Sequence, residues 1–258
     1  RMIGKVARTP VLQSDIRNVL YLNWLVPTER VSALLPKGME VDSHDGKTAI
    51  SILTHQHGGF GPRILRPLRR CLPSPFQSNW RLYLKPEPGR DGSIYFVKTC
   101  LNSFAHVVGS RLMSDGLPSH MTGDFEFSIA DQQGHLLIDS MGGSAPDLEL
   151  EFDLSSRDKG VSAAWASRFG DWNACVDYLV SQNRAVDSLR GWASHLESFI
   201  DIPINVADAV PVQASLISSC ELLTDLLTDE EDEVFAFLIP AVDFKFLGEV
   251  VTDSFVDQ

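Results

Sequence analysis

Lys98 is one candidate for a chemically active side chain in this sequence. It lies within residues 94–102 (IYFVKTCLN), whose β-branched and aromatic residues predict a strand. A lysine amine that is partly desolvated and close to another cation loses charge more easily and can attack a carbonyl carbon. Two other roles stay open for Lys98: binding of an anionic ligand, or an exposed position that discourages pairing at a sheet edge.

A pair of histidines forms the second candidate. His55 and His57 are separated by one residue, so a strand places both imidazoles on one face. This spacing can begin a metal site, with a third ligand such as His120 or Asp124, but no HExxH or HxxxH helix supports it. The sequence therefore predicts polar histidines at a cavity, with no metal and no cofactor.

Strand alternation brings more polar residues onto the same faces. In residues 79–85 (NWRLYLK), Arg81 and Tyr83 share a face, and in the next strand Phe96, Lys98 and Cys100 share one. A tight hairpin between the two strands predicts that Lys98 points into a cavity, within reach of Arg81 or of a histidine. Two environments stay open for these mixed faces: bulk water, or the polar interior of a barrel.

The elements that must position these residues are mostly hairpins. Alternating runs flank turn signals at residues 45–46, 90–92 and 132–134, which predicts one continuous curved sheet over residues 18–140. Apolar residues at helical spacing predict a helix over residues 163–186. Hairpins with a few helices between them indicate an α+β fold in a single domain over residues 1–258.

Two blocks of the sequence resemble a known family. Residues 22–57 (LNWLVPTERVSALLPKGMEVDSHDGKTAISILTHQH) contain an aromatic-rich strand, a Leu-Pro-x-Gly helix exit and an Asp-Gly hairpin. Residues 76–85 (FQSNWRLYLK), 92–102 (GSIYFVKTCLN) and 110–113 (SRLM) form the second block. Together, over roughly half of the chain, they resemble the DUF2071 (YqjF-like) family of the acetoacetate decarboxylase-like superfamily. This resemblance implies antiparallel strands curved into a cone-like barrel, closed by flanking helices, with a ligand cavity inside.

The same resemblance bears on the site residues. Acetoacetate decarboxylases carry a lysine pair after a segment that Arg111, Gly116 and Pro118 match here, but the two lysine positions fall on Ser119 and His120. A glutamate that many DUF2071 sequences carry is replaced by Gln77. The usual Schiff-base lysine pair is therefore absent. The candidate catalytic residues are Lys98 and His120, and the candidate substrate-binding residues are His55, His57, Gln77, Arg81, Tyr83 and Arg111.

Composition limits the partners. The 258-residue chain has a net charge of −12, which argues against a dedicated nucleic-acid-binding protein. No apolar run in the sequence is long enough to span a membrane, and the four cysteines lack paired spacing, which favours free thiols and a cytoplasmic location. The expected partner is a small-molecule ligand, with a homo-oligomer possible in principle.

Three functions follow from this sequence. The first is a small-molecule enzyme that acts on a keto acid or related carbonyl compound, with Lys98 or His120 in proton or amine chemistry. The second is a non-catalytic module that binds a small apolar or acidic ligand in the same cavity. The third is an interaction protein whose acidic C-terminal third contacts a partner.

Overall fold

The structure is a computed structural model that describes residues 11–87, 92–114, 117, 119–188, 194–227 and 233–253. The described strands are β1 (Leu12–Pro27), β2 (Ser43–His44), β3 (Lys47–Gln56), β4 (Gly61–Pro62), β5 (Phe76–Leu84), β6 (Ser93–Leu101), β7 (Ser119–Met121), β8 (Asp124–Ala130), β9 (Gln133–Asp139), β10 (Leu148–Asp153), β11 (Arg184–Ser188), β12 (Ser194–Asp201), β13 (Val210–Ser219) and β14 (Phe235–Asp253). The described helices are α1 (Thr28–Ser32), α2 (Phe104–Met113), α3 (Ala163–Phe169), α4 (Trp172–Val180) and α5 (Glu221–Leu226), with 3-10 turns at Arg63–Cys71 and Val206–Asp208.

Two long strands close the sheet on itself. β1 pairs with β3 on one side and with β14 on the other, and β14 continues along β12. The path β1–β3–β5–β6–β11–β12–β14 therefore returns to β1 as a hydrogen-bonded ring. Most of its pairs are antiparallel, but β6 and β11 pair in parallel through two residues of each strand. The expected α+β fold, a curved sheet closed by flanking helices, is confirmed.

A second group of strands covers part of the outside of this ring. β8, β9, β10 and β13 form an antiparallel outer sheet, which joins the ring where β13 pairs with β14. Its apolar side chains, including Phe125 and Phe152, pack against the outward residues of the ring, among them Trp80 and Leu82. The outward apolar residues of β1, β3, β5 and β14 are thus buried under the outer sheet, and the polar residues of β3 and β5 point inward.

Two helices close one end of the ring. Trp165 of α3 and Trp172, Val176 and Leu179 of α4 are buried against inward residues such as Phe237. The single helix predicted over residues 163–186 is interrupted at Gly170, whose φ of +98° ends α3, and β11 follows α4. The predicted apolar face is nevertheless the one that packs inside the ring.

The hairpin turns follow the sequence signals only in part. Asp45 and Gly46 both have positive φ, as a two-residue hairpin turn requires, and the third turn lies at Asp131 and Gln132. The turn around residues 90–92 lies outside the described residues except for Gly92. The third hairpin, β8–β9, does not follow β6 in the sheet but belongs to the outer sheet. The predicted hairpins thus belong to one hydrogen-bonded sheet, although the third is separated from β6 in the strand order.

Candidate functional site

A cavity of about 300 Å³ lies inside the ring. Inward side chains of β1, β3, β5, β6, β12 and β14 line it, and α2 covers one side. Most of this lining is apolar, and its polar side chains come from β3 and β5 and also from β6, α2, β7 and β12. An enclosed, largely apolar cavity with a few converging polar groups is the usual form of a small-molecule site. We refer to it below as the central cavity.

His57 lies at the centre of a polar chain along one wall of the central cavity. Its Nδ1 is 2.9 Å from Ser14 Oγ, and its Nε2 is 2.7 Å from Gln77 Oε1. Gln77 Nε2 in turn donates to Asn79 Oδ1 at 2.8 Å. Because Gln77 Oε1 can only accept, His57 Nε2 carries the proton and Nδ1 accepts from the Ser14 hydroxyl. Burial lowers the pKa of His57 to about 4, so this imidazole is neutral at pH 7.

His55 differs from His57 in having free ring nitrogens. Its ring lies 4.8 Å from the His57 ring and is buried, yet neither nitrogen has a hydrogen-bond partner among the described residues. Burial, with a smaller contribution from His57, holds the pKa of His55 well below its usual range. A neutral imidazole presents one donor and one acceptor, so His55 offers both to the cavity.

Arg81 provides a buried positive charge. Its side chain is 3% exposed and lines the central cavity, where its guanidinium carbon lies 5.5 Å from the centre of the Tyr21 ring. Its Nη2 donates to the Tyr83 hydroxyl at 3.0 Å and to the carbonyl oxygen of Leu179. These described hydrogen-bond partners are neutral oxygens, not carboxylates. Burial also raises the pKa of Tyr21 to about 12, so its phenol carries no compensating charge at pH 7.

A chain of buried hydrogen bonds fixes the orientation of Arg81. The Tyr83 hydroxyl lies 2.7 Å from Ser51 Oγ, which donates to Asn23 Oδ1. Asn23 Nδ2 completes the chain by donating to the carbonyl of Phe235 at 2.7 Å. Tyr83 is not among the residues that line the cavity and contacts Arg81 from the side away from it; its role in substrate binding stays a prediction.

Several buried polar atoms that lack partners converge on the central cavity. Within the described residues these include Arg81 Nε, both nitrogens of His55 and Thr99 Oγ1, all from residues that line the cavity. Most buried polar groups in native proteins are hydrogen-bonded. A polar ligand in this cavity would complete their hydrogen bonding.

Lys98 does not lie where the sequence predicted. A β-bulge shifts the register between β5 and β6, so that Trp80 pairs with Lys98 while Arg81 pairs with Phe96. One extra residue in a strand reverses the alternation beyond it. Phe96 and Thr99 consequently line the cavity, whereas Lys98 lies opposite Trp80, whose side chain belongs to the outer core. The prediction that Lys98 shares an inward face with Arg81 is wrong.

His120 and Arg111 also lie outside the central cavity. His120 Nδ1 is 2.7 Å from Ser144 Oγ, and Arg111 donates to the carbonyl of Ser119. Partial burial, then the charges of Lys98 and Arg111, lower the pKa of His120 to about 4. Lys98, Arg111 and His120 thus lie close enough to interact electrostatically, at and beside β7. Of the two positions that the family resemblance aligns with the lysine pair, Ser119 lines the cavity and His120 does not.

Of the candidate substrate-binding residues, His55, His57, Gln77 and Arg81 are brought together in the central cavity. The catalytic roles of Lys98 and His120 remain predictions, and neither side chain lines this cavity. Sequence reasoning missed Asn79, although alternation places it on the face of Gln77 and Arg81. It also missed several other residues, none of which carried a motif: Ser14, Tyr21, Phe60, Thr99 and His106.

Comparison with known proteins identifies the family. The family model for DUF2071, described as an uncharacterized conserved protein, matches residues 13–151. The chain belongs to the DUF2071 family. No curated protein matches its sequence.

Solved structures of similar fold place this DUF2071 protein among acetoacetate decarboxylase-like folds. An acetoacetate decarboxylase from Legionella pneumophila aligns with a TM-score of 0.65 at 10% identity, covering 100% of this chain and 92% of that one. The enduracididine biosynthesis enzyme MppR, complexed with pyruvate, gives 0.61 at 11% identity, with 95% and 92% covered. An acetoacetate decarboxylase-like enzyme from Sphingomonas wittichii RW1 gives 0.59 at 12% identity, with 95% and 94% covered. At these identities the likeness establishes the fold alone.

Proposed function

We propose that this DUF2071 protein is a small-molecule enzyme that acts on a keto acid or related carbonyl compound in the central cavity. The observation that carries the proposal is Arg81, a buried cation whose described hydrogen-bond partners are neutral and whose Nε is unpartnered. A buried charge is costly unless it is paired, and guanidinium is well suited to binding carboxylate. One protein of similar fold is described as complexed with pyruvate, which is a keto acid.

The neutral histidines suggest how a carbonyl group would be bound. With the ligand carboxylate on Arg81, a carbonyl oxygen in the cavity can accept a hydrogen bond from His55, whose ring nitrogens are free among the described residues. A neutral imidazole that donates to such an oxygen stabilises the negative charge that develops when the adjacent carbon loses a proton. His106 also lines the cavity, and partial burial lowers its pKa, so its neutral imidazole is the group that would accept that proton. Proton transfer next to a carbonyl is therefore the reaction class that this site supports best.

An amine-linked intermediate is not part of the proposal. Among the described residues that line the cavity there is no lysine, and Ser119 stands at one of the positions aligned with the lysine pair. The described lining also has no carboxylate that could act as a strong base. This composition favours the alternative function, a binding module without catalysis. Borohydride treatment with pyruvate or acetoacetate should therefore give no covalent adduct at any lysine.

The two functions are separated by measuring binding and exchange on the same ligands. Binding of pyruvate and acetoacetate is followed by calorimetry, and loss of the C–H signal next to the carbonyl is followed by NMR in D₂O. Binding with protein-dependent exchange supports the enzyme, whereas binding without exchange or product supports the binding module. Arg81→Met is the test variant, because methionine keeps the length and loses the charge. Unchanged affinity in this variant, or no binding of any carboxylate to the native protein, would overturn the proposal.

A further inference from the structure

The central cavity extends well beyond its polar groups. Inward residues of β1 line it from Tyr21, beside Arg81, to Leu12. Nine residue steps separate these two residues, so the lining covers several successive inward rows of the strand. Arg81, Asn79 and Gln77 lie towards the Arg81 end, and His57 extends this polar row as far as Ser14 of β1. Apolar residues of β12 and β14 line the other end, so the two ends of the cavity differ chemically.

The polar end is fixed by the register of three strands. Arg81 pairs with Ser51 and Phe96, while Asn79 pairs with Leu53 and Thr99, one inward row further along. His55 and Gln77 pair in the row after that. Inward rows on a strand are about 6.6 Å apart, so these polar groups extend over roughly 13 Å along the strands.

The other end is apolar and less deeply buried. β1 and β14 pair Ile16 with Val242 and Leu12 with Phe246, and β12 adds Ile200 beside Phe246. All five side chains line the cavity. We call this end the apolar subsite. Leu12, Ile200 and Phe246 are half-buried, whereas Arg81 and His55 are buried, which places the charged end deep and the apolar subsite nearer to solvent.

We infer that the ligand of this cavity is an elongated carboxylic acid with an apolar tail, and that its tail occupies the apolar subsite. This inference rests on the proposed function, since Arg81 must hold the carboxylate. A cavity of about 300 Å³ lies at the lower end of the range for pockets that hold drug-sized ligands, about 300–1,000 Å³. A short keto acid fills only the polar end, whereas an acid with a tail of roughly six or more carbons also displaces water from Ile200, Val242 and Phe246.

A chain-length series tests the inference. Calorimetry is carried out with straight-chain acids from acetate to decanoate, and with the matching 3-keto acids from acetoacetate upwards. Each methylene buried in the subsite should raise the affinity about fourfold, until the cavity is full. If short acids bind but affinity does not rise with length, the inference is wrong and the proposed function stands. If no acid of any length binds, the proposed function fails and the inference with it.

A pair of variants locates the tail. Ile200→Trp adds bulk inside the apolar subsite, whereas Phe199→Trp changes the neighbouring residue, which is 36% exposed and does not line the cavity. The first variant should lower octanoate affinity at least tenfold and leave acetate affinity unchanged, and the second should alter neither. Equal effects of Ile200→Trp on octanoate and acetate, or equal effects of the two variants on octanoate, would overturn the placement of the tail.

Discussion

The buried imidazole of His57 should make the stability of the protein sensitive to pH. His57 titrates at about 4 in the folded protein, against 6.5 for an ordinary histidine. Between these values the unfolded chain binds a proton that the folded protein does not, so the free energy of unfolding falls as pH decreases through this window. The full difference corresponds to about 3 kcal/mol below pH 4, at about 1.4 kcal/mol for each tenfold change in proton affinity.

The measurable part of this effect lies between pH 7 and pH 5. Over this interval His57 alone should lower the free energy of unfolding by about 2 kcal/mol. His55 acts in the same direction, because burial also holds its pKa well below the usual range. Urea unfolding followed by tryptophan fluorescence at both pH values gives the native difference. Titration of surface groups contributes too, so the native value alone does not isolate the histidine.

The variant His57→Gln isolates the contribution of His57 to this pH dependence. Glutamine cannot titrate, and its amide can still donate towards Gln77 Oε1, the acceptor 2.7 Å from Nε2 in the native protein. The variant will be less stable than the native protein at pH 7, because the hydrogen bond to Ser14 is lost. Its loss of stability between pH 7 and pH 5 should nevertheless be smaller by about 2 kcal/mol. If both proteins lose the same free energy over this interval, His57 is already charged or exposed in the folded state, and the description of the cavity is wrong.

Three further predictions concern residues outside the polar end of the cavity. Lys98→Ala should leave acetoacetate affinity within twofold of native by calorimetry, since Lys98 does not line the cavity, and a large loss would contradict the observed β5–β6 register. Gly134→Ala should destabilise the protein by about 1–3 kcal/mol in urea unfolding, because a methyl group there would lie 2.0 Å from the Phe152 ring; an unchanged midpoint would refute this packing. Thiol titration of native protein at pH 8 should show fast reaction at exposed Cys71 and slow reaction at buried Cys100, whose pKa burial raises to about 12; equal rates would count against that burial.

Much of the ring followed from local signals in the sequence. The Asp-Gly turn requires positive φ at both residues, and alternation placed His55 with His57 on one face of β3 and Arg81 with Tyr83 on one face of β5. Alternation alone left open whether that face meets water. The choice was decided by the outer sheet, which buries the opposite face under residues such as Phe152 that lie far away in the sequence.

Irregularities in strand register account for the wrong prediction of where Lys98 points. A bulge adds one residue to one strand of a pair, and no residue of the stretch YFVKT marks its position. The start of β1 was missed for a related reason: Asn18 has a φ of 51°, and the pairing with β3 shifts between Arg17 and Leu20. The sequence therefore predicted a strand from residue 18, and Ser14, the partner of His57, was not recognised.

The bulge also explains how one cavity can hold a cation without a competing amine. With regular alternation, Lys98 would point inward beside Arg81, and the two positive charges would share a space that burial makes costly for each. The bulge places Phe96 and Thr99 there instead, a ring and a hydroxyl that carry no charge. Arg81 is then the charged group that the described lining presents to a ligand at pH 7, because burial keeps His55 and His57 neutral. The proposed selectivity of the cavity for a single carboxylate thus depends on backbone register as much as on residue type.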